Sequence, residues 1–239
     1  MMALFTGILA TGPFKFRIKV WYAICAVLFF LGFAISGTRG ALAVPLFGGI
    51  AYLIVNKNFK VLLGGLSAIV LVFCILKYTF MFQGVEQVRR MRTALDPNNK
   101  SLSVRLDNQR TFAAYLANKP FGAGIGTAGF WGARFNPESV MANTATDSWY
   151  VKVWAETGTV GLLIHLVFLG FVLGKGGHLV MNLKDKQSKT YALGLYACIV
   201  GVLFSSYGNQ VFGQMPTGMV MNMAIPFLFL IKEWKPQKN

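Results

Sequence analysis

TATDSWYVKVWAETGTVG, residues 144–161, is where the chain changes solvent: a polar loop runs into an apolar segment that still carries Asp147, Lys152 and Glu156. Charge at the mouth of a membrane span is costly to keep there. Read as a helix, the run sets Asp147, Tyr150 and Trp154 on one face at i, i+3 and i+7, with Glu156 about 13 Å further along the axis. Two readings follow. One is an acid poised at the rim of a cavity with aromatic rings beneath it; the other is an interfacial aspartate capping a membrane helix beside a Trp/Tyr belt.

Composition bears on that choice. Hydrophobic residues make up 55% of the chain and charged residues only 13%, and the mean hydropathy is +0.54. These values describe a chain whose solvent is largely lipid, an all-α polytopic membrane protein. The net charge of +15 would suggest nucleic acid in a soluble domain. Here most Lys and Arg fall in short clusters between apolar runs, which points to membrane orientation and to anionic lipid or diphosphate ligands, with no nucleic acid. Cys25, Cys74 and Cys198 each lie inside an apolar run and read as small buried hydrophobes, without disulfide or metal spacing.

Six stretches reach membrane length or nearly so: 20–36, 41–55, 61–82, 149–173, 190–206 and 211–231. The first dozen residues are apolar but too short to span, and their positive charges follow the apolar stretch, the reverse of a signal peptide. They read as a re-entrant or interfacial stub, or as the tail of a span. With a cytoplasmic amino terminus, one side collects Lys15, Arg17, Lys19, then Lys57 and Lys60, then Lys175, Lys184, Lys186 and Lys189, then Lys232, Lys235 and Lys238. The short loops on the other side hold only Arg39. Both termini are therefore expected inside, with residues 83–148 outside. Three units follow: 1–82 with the stub and three membrane helices, 83–148 as an outer segment, and 149–239 with three more.

Within the outer segment, 83–95 and 101–118 have helical periodicity. The second places Leu102, Leu106, Ala113 and Leu116 on a stripe, with Arg105, Phe112 and Arg110 at or near its edges, as for a helix lying apolar side down on the membrane face. Arg105 would then point to headgroup depth, or simply attract anionic lipid. DPNNK, 96–100, marks the turn between them. From Pro120, PFGAGIGTAGFWG is glycine-dense. No strand precedes it, so it is not a dinucleotide fingerprint; it reads as a tight crossover or an anion nest including Gly124 and Gly126. Arg39, in the turn SGTRGAL, needs a partner: a lipid phosphate, a carboxylate, or the diphosphate of a lipid-linked substrate, whose geometry suits its fork. Lys152 and Glu156, at i, i+4, are placed to neutralise each other, and Lys77 to snorkel. The turn SSYGNQVFGQ, 205–214, offers Tyr207, Asn209 and Gln214 to sugar hydroxyls or to interfacial anchoring.

Together these residues resemble the bacterial O-antigen ligase and polymerase family. SGTRGAL is similar to its S-x-S-R-G-A element. SVRLDNQR, followed fifteen residues after Arg105 by Pro120-Phe121-Gly122-Ala123-Gly124, resembles its arginine and Pro-Leu/Phe-x-Gly-x-Gly element. Asp147-Ser148 leading to Glu156-Thr157-Gly158-Thr159-Val160-Gly161 resembles its His-Asn and Glu-x-Gly-x-x-Gly element, with aspartate where the family has histidine.

The resemblance implies a membrane glycosyltransferase of the glycosyltransferase-C type in the bacterial cytoplasmic membrane, multi-pass, with its active face periplasmic, serving polysaccharide and lipopolysaccharide biosynthesis. The donor would be a glycan on undecaprenyl diphosphate and the acceptor a hydroxyl of the lipid A core or of another glycan, joined with inversion and without a metal or other cofactor. Arg39 and Arg105, with Arg110, would hold the diphosphate. Asp147 would act as the base, and Gly124, Gly126, Tyr150 and Glu156 would line the substrate. A carboxylate is a weaker base than imidazole, and shielding by Trp149 and Tyr150 would strengthen it. His165, deep in a span, and His178, cytoplasmic, cannot replace it. The family has ten to twelve spans and this chain about six, matching its carboxy-terminal half, so the expectations include a second chain supplying missing helices and an inactive truncated fragment. The rival class is half of a transporter or flippase for lipid-linked glycans, suggested by Pro45, Pro216 and Pro226.

Overall fold

The computed structural model describes residues 1–36, 42–56, 67 and 100–233. The expected span 61–82 apart from Ser67, the helix 83–95, most of the DPNNK turn, Arg39, Cys74, Lys57, Lys60, Lys77, Lys235 and Lys238 lie outside the described residues. The described chain is all helical: α1 (Met2–Ala10), α2 (Phe16–Ser36), α3 (Ala43–Asn56), α4 (Lys100–Leu116), α5 (Gly129–Phe135), α6 (Val140–Asn143), α7 (Trp149–Asn182), α8 (Lys186–Gly208), a 3-10 turn (Val211–Gly213) and α9 (Thr217–Leu230). Three of them, α2, α7 and α8, are long and apolar enough to cross a membrane, and α3 and α9 are shorter apolar helices. This is a membrane helix bundle.

The bundle is organised around α8. Most of its apolar window is buried, whereas none of that of α2 is fully buried; α8 is the centre, and α2 lies at the periphery against α1. Alanine, glycine and serine along α8 let its neighbours approach to backbone distance, which is how helices pack where lipid removes the hydrophobic drive. A Cβ on Gly201 would strike the carbonyl of Val44, and one on Gly48 would sit 2.6 Å from the carbonyl of Ala197. The main core gathers Val44, Leu169, Val172, Ile199, Val202, Met221 and Leu228 from α3, α7, α8 and α9. Asp185 starts α8 by accepting the Ser188 N–H at 2.7 Å.

Helix α1 is packed into the bundle: Cys198 Sγ donates to the carbonyl of Met1 at 3.4 Å, Phe5 abuts Gly194, and Gly12 meets Thr190. It therefore runs beside the half of α8 that carries Lys186 and Lys189, burying Ile8 and Leu9.

The largest departure from the sequence reading is in α7, where one continuous span was expected over 149–173. Gly158 has φ 69° and ψ −169°, a conformation open to glycine almost alone. Trp149 and His165, 16 positions apart, would be separated by about 24 Å in a straight helix, yet Trp149 Nε1 donates to His165 Nε2 at 3.1 Å. The chain therefore folds back at Gly158. Arm 149–157 returns alongside arm 159–182, and only the second has the length and apolarity of a span.

The first arm belongs instead to a second, smaller core, in which Ala155 packs with Phe112, Leu116, Ala128 and Met141. The stripe expected on the helix at 101–118 is corrected accordingly. Leu106 is exposed and Phe112, expected at the edge, is fully buried. The inward face of α4 runs Arg105, Asn108, Gln109, Phe112, Leu116, with polar residues at one end and apolar at the other. This face packs on the α7 arm rather than lying on lipid, and its polar end lines a cleft.

Candidate functional site

The glycine-dense loop and the break in α7 are one construction. With Gly158 non-helical, the ladder of α7 is interrupted, and the loop supplies the missing partners: Ala123 N–H donates to the Ala155 carbonyl at 3.1 Å, Gly124 N–H to the Glu156 carbonyl at 2.9 Å, and Val160 N–H to the Pro120 carbonyl at 3.2 Å. Such close backbone approach requires two glycines face to face. A Cβ on Gly122 would strike Gly158 N, and one on Gly158 would strike the Pro120 carbonyl. The N–H groups of Ala123 and Gly124 are thereby committed to the fold and withdrawn from any anion nest. The N–H groups of Gly126 and Ala128 lie against the carboxylate of Glu156, with Lys152 as its charged neighbour, while Glu156 Oε1 has no hydrogen-bond partner among the described residues.

The folded-back arm delivers the preceding loop to the end of α8. Ser148 Oγ donates to the Ser206 carbonyl at 3.3 Å, Tyr150 Oη to the Leu203 carbonyl at 2.8 Å, and Gln210 Nε2 to both the carbonyl and the hydroxyl of Thr146. On the other side Asn108 Nδ2 donates to the Ala145 carbonyl at 3.3 Å. Asp147 is thus held from both flanks, just ahead of α7 rather than within it. Arg105 comes from α4 to meet it, with Nε 3.9 Å from Asp147 Oδ2 and the two side chains 38% and 40% exposed. At that separation and exposure the pair orients more than it stabilises. Both groups stay open to water and to a ligand. A cleft of about 50 Å³ lies between them, lined also by Asn108, Gln109, Ser148 and Tyr207.

Tyr207 lines a second space as well. An open apolar groove of about 570 Å³ runs between the second α7 arm and α8, bounded by Tyr150, Leu162, Leu166, Leu169, Leu173, Leu203, Phe204 and Tyr207. From the lysines at the start of α8 to Ser206 is about 30 Å of helix, the thickness of a hydrocarbon core. The cleft therefore lies at the end of α8 opposite the Lys184, Lys186 and Lys189 cluster, and the groove runs along α8 from Tyr207.

Of the residues expected to act together, Arg105 and Asp147 converge. Arg110 does not join them: it lies on the outer face of α4, 81% exposed, paired with Asp107 at 3.1 Å. Tyr150 lines the groove and its hydroxyl is engaged by α8. Glu156, Gly124 and Gly126 occupy the loop junction, not the cleft lining. The rings of Trp149 and Tyr150 pack on His165 and, for Trp149, on Phe212, and Asp147 is left 40% exposed. His165, read as deep in a span, lies against Trp149. Its bare Nε2 accepts from the indole, so the imidazole props up the arm that carries Asp147. Ser148, Ser206, Gln210 and Thr146, which fix the loop, were not singled out; their signal was the concentration of hydroxyls and amides at two span ends.

Residues 24–166 match a protein-family model described as O-antigen ligase. The chain is also 28% identical over 150 residues to an O-antigen polymerase of Salmonella muenchen, an alignment that covers 61% of this chain and 36% of that one. The chain thus spans little more than a third of that relative's length. No solved structure matches it.

Proposed function

This chain belongs to the O-antigen ligase family, and from that membership we propose that its Arg105–Asp147 cleft transfers a glycan from a polyprenyl diphosphate to an acceptor sugar hydroxyl at the periplasmic face of the bacterial cytoplasmic membrane. The observation that carries the reading is the meeting of Arg105 and Asp147 at 3.9 Å, at the end of α8 far from its lysine cluster, beside an apolar groove that shares Tyr207 with their cleft. A polyprenyl-diphosphate glycan has the matching order of parts: isoprenoid in the groove, diphosphate at the guanidinium, sugar beyond.

The steps follow from charge. The incoming diphosphate competes with Asp147 for Arg105, since a guanidinium binds a phosphate through two parallel N–H bonds. Freed of its counter-ion, the Asp147 carboxylate takes the proton of the acceptor hydroxyl. The acceptor oxygen forms its bond to the anomeric carbon from the face opposite the leaving group, with inversion, as the bond from that carbon to the diphosphate oxygen breaks. The electron pair leaves with the lipid diphosphate, and Arg105 neutralises the charge that grows there. Arg39, outside the described residues, is the second cation in this proposal. The apolar lining of the groove argues against the transport reading, which needs polar groups through the bilayer midplane.

The test is glycan transfer in membranes supplied with the lipid-linked donor. Arg105→Ala and Asp147→Asn are each expected to lower the rate by at least about a hundredfold, in the range of removing a charge-stabilising donor or a general base. Full activity in both variants overturns the assignment.

A further inference from the structure

Helix α5 carries three large aromatic side chains on its outside. Phe130, Trp131 and Phe135 are 72%, 49% and 75% exposed, although only Gly132 of this helix is buried. The rings are ordered among themselves: Trp131 and Phe135 lie parallel, 9° apart with centroids at 6.0 Å, and Phe130 stands edge-on to Trp131 at 5.3 Å. The guanidinium of Arg134 is laid over two of them, 5.8 Å from Trp131 and 5.7 Å from Phe135. The helix is fixed beneath, since a Cβ on Gly132 would strike the Thr127 carbonyl and one on Gly129 would sit 3.9 Å from Thr146 Oγ1. Thr146 is the neighbour of Asp147. The aromatic shelf therefore begins beside the cleft.

Two occupants suit exposed aromatics at a membrane boundary, lipid and sugar, and the position of Arg134 decides between them. On a helix of 3.6 residues per turn Arg134 falls about 40° from Phe130 and about 60° from Trp131, inside the aromatic face. A helix that lies in lipid keeps its cations on the opposite face or at the edge, where they snorkel. Sinking this face would drag the guanidinium into hydrocarbon. A pyranose ring needs the mixture: its C–H face packs on an aromatic ring, and its hydroxyl rim takes N–H donors from a planar cation.

We propose that the shelf of Phe130, Trp131, Arg134 and Phe135 is a sugar subsite that holds one pyranose ring of a glycan beside the Asp147 carboxylate. It rests on the glycosyl-transfer reading for its purpose, though not for its binding. The same chemistry serves a sugar of the donor glycan or of the acceptor, and the probes separate these sources.

The full chain in phosphatidylcholine nanodiscs is titrated with two lipid-free probes, a repeat-unit oligosaccharide and a core oligosaccharide released from lipid A, with binding read by saturation-transfer difference NMR. One of the probes is expected to bind, and its identity assigns the source. Its dissociation constant should rise about tenfold in Trp131→Ala, rise comparably in Arg134→Gln, hold in Trp131→Phe, and be unchanged in Arg105→Ala, with melting temperatures alike throughout. Binding that is absent for both probes, or indifferent to Trp131→Ala, overturns the proposal. So does fluorescence quenching by brominated lipid that disappears in Trp131→Phe, because lipid then covers the shelf. The cleft reading fails separately: transfer indifferent to Arg105→Ala, with Trp131-dependent sugar binding intact, would remove that reading and leave the shelf standing.

Discussion

Replacing Gly158 with alanine strikes the joint that brings the two halves of the site together. The native φ of 69° with ψ −169° costs a residue with a Cβ about 1–3 kcal/mol. The new methyl would also overlap the Pro120 carbonyl and Gly122 N, so the loop must withdraw. Withdrawal forfeits the bonds from Ala123, Gly124 and Val160, each worth about 1 kcal/mol net. The sum is about 4–6 kcal/mol, comparable with the whole stability of a small domain. The measurement is amide hydrogen exchange in nanodiscs. Ala123, Gly124 and Val160 are expected to be protected in the native chain and to exchange about a thousandfold faster in Gly158→Ala. Gly126→Ala is the control: its φ is 80° but a Cβ there meets nothing within 4 Å, so only about 1–2 kcal/mol of backbone strain is expected. If Gly158→Ala leaves the three amides within tenfold of native, the docking of loop on break is wrong, and with it the fold-back that carries Asp147 to Arg105.

Two further outcomes follow from the same physics. Phe112, fully buried where α4 meets the first α7 arm, should cost about 3–5 kcal/mol on truncation to alanine; limited proteolysis should then cut residues 100–148 while α8 stays protected. Asp185 accepts the Ser188 N–H, which holds its carboxyl below the usual aspartate value. Its folded-state pKa being depressed, its contribution is present above the unfolded value and is lost as pH falls through the folded one. Melting curves should therefore show Asp185→Ala less stable by up to about 1 kcal/mol at neutral pH, a gap that narrows in acid and ignores alkali.

The membrane helices were legible because hydropathy is summed over many residues, and the clusters at Lys15 to Lys19 and Lys184 to Lys189 punctuate it. The arginine and the acid of the cleft were legible as residues. What the sequence could not convey was the sign of one dihedral. Nothing in Thr-Gly-Thr at 157–159 announces the positive φ at Gly158, yet it turns a single span into two antiparallel arms and brings Trp149 back onto His165. Arg105 and Arg110 likewise look alike in SVRLDNQR. Five residues apart on α4, they differ in phase by about 140°, and only the packing of Phe112 says which phase faces inward. The stripe drawn through Leu106 and Ala113 failed because the true inward face is polar where it lines the cleft, so its hydrophobic signal was weakest there.

That contrast supplies the most direct test. Glycan transfer should be measured side by side for Arg105→Ala and Arg110→Ala, which remove the same charge from the same helix, five positions apart. The account predicts a loss of at least about a hundredfold for Arg105→Ala and near-native transfer for Arg110→Ala, whose exposed pairing with Asp107 is worth little. Equal behaviour of the two variants, whether both silent or both impaired, would contradict it.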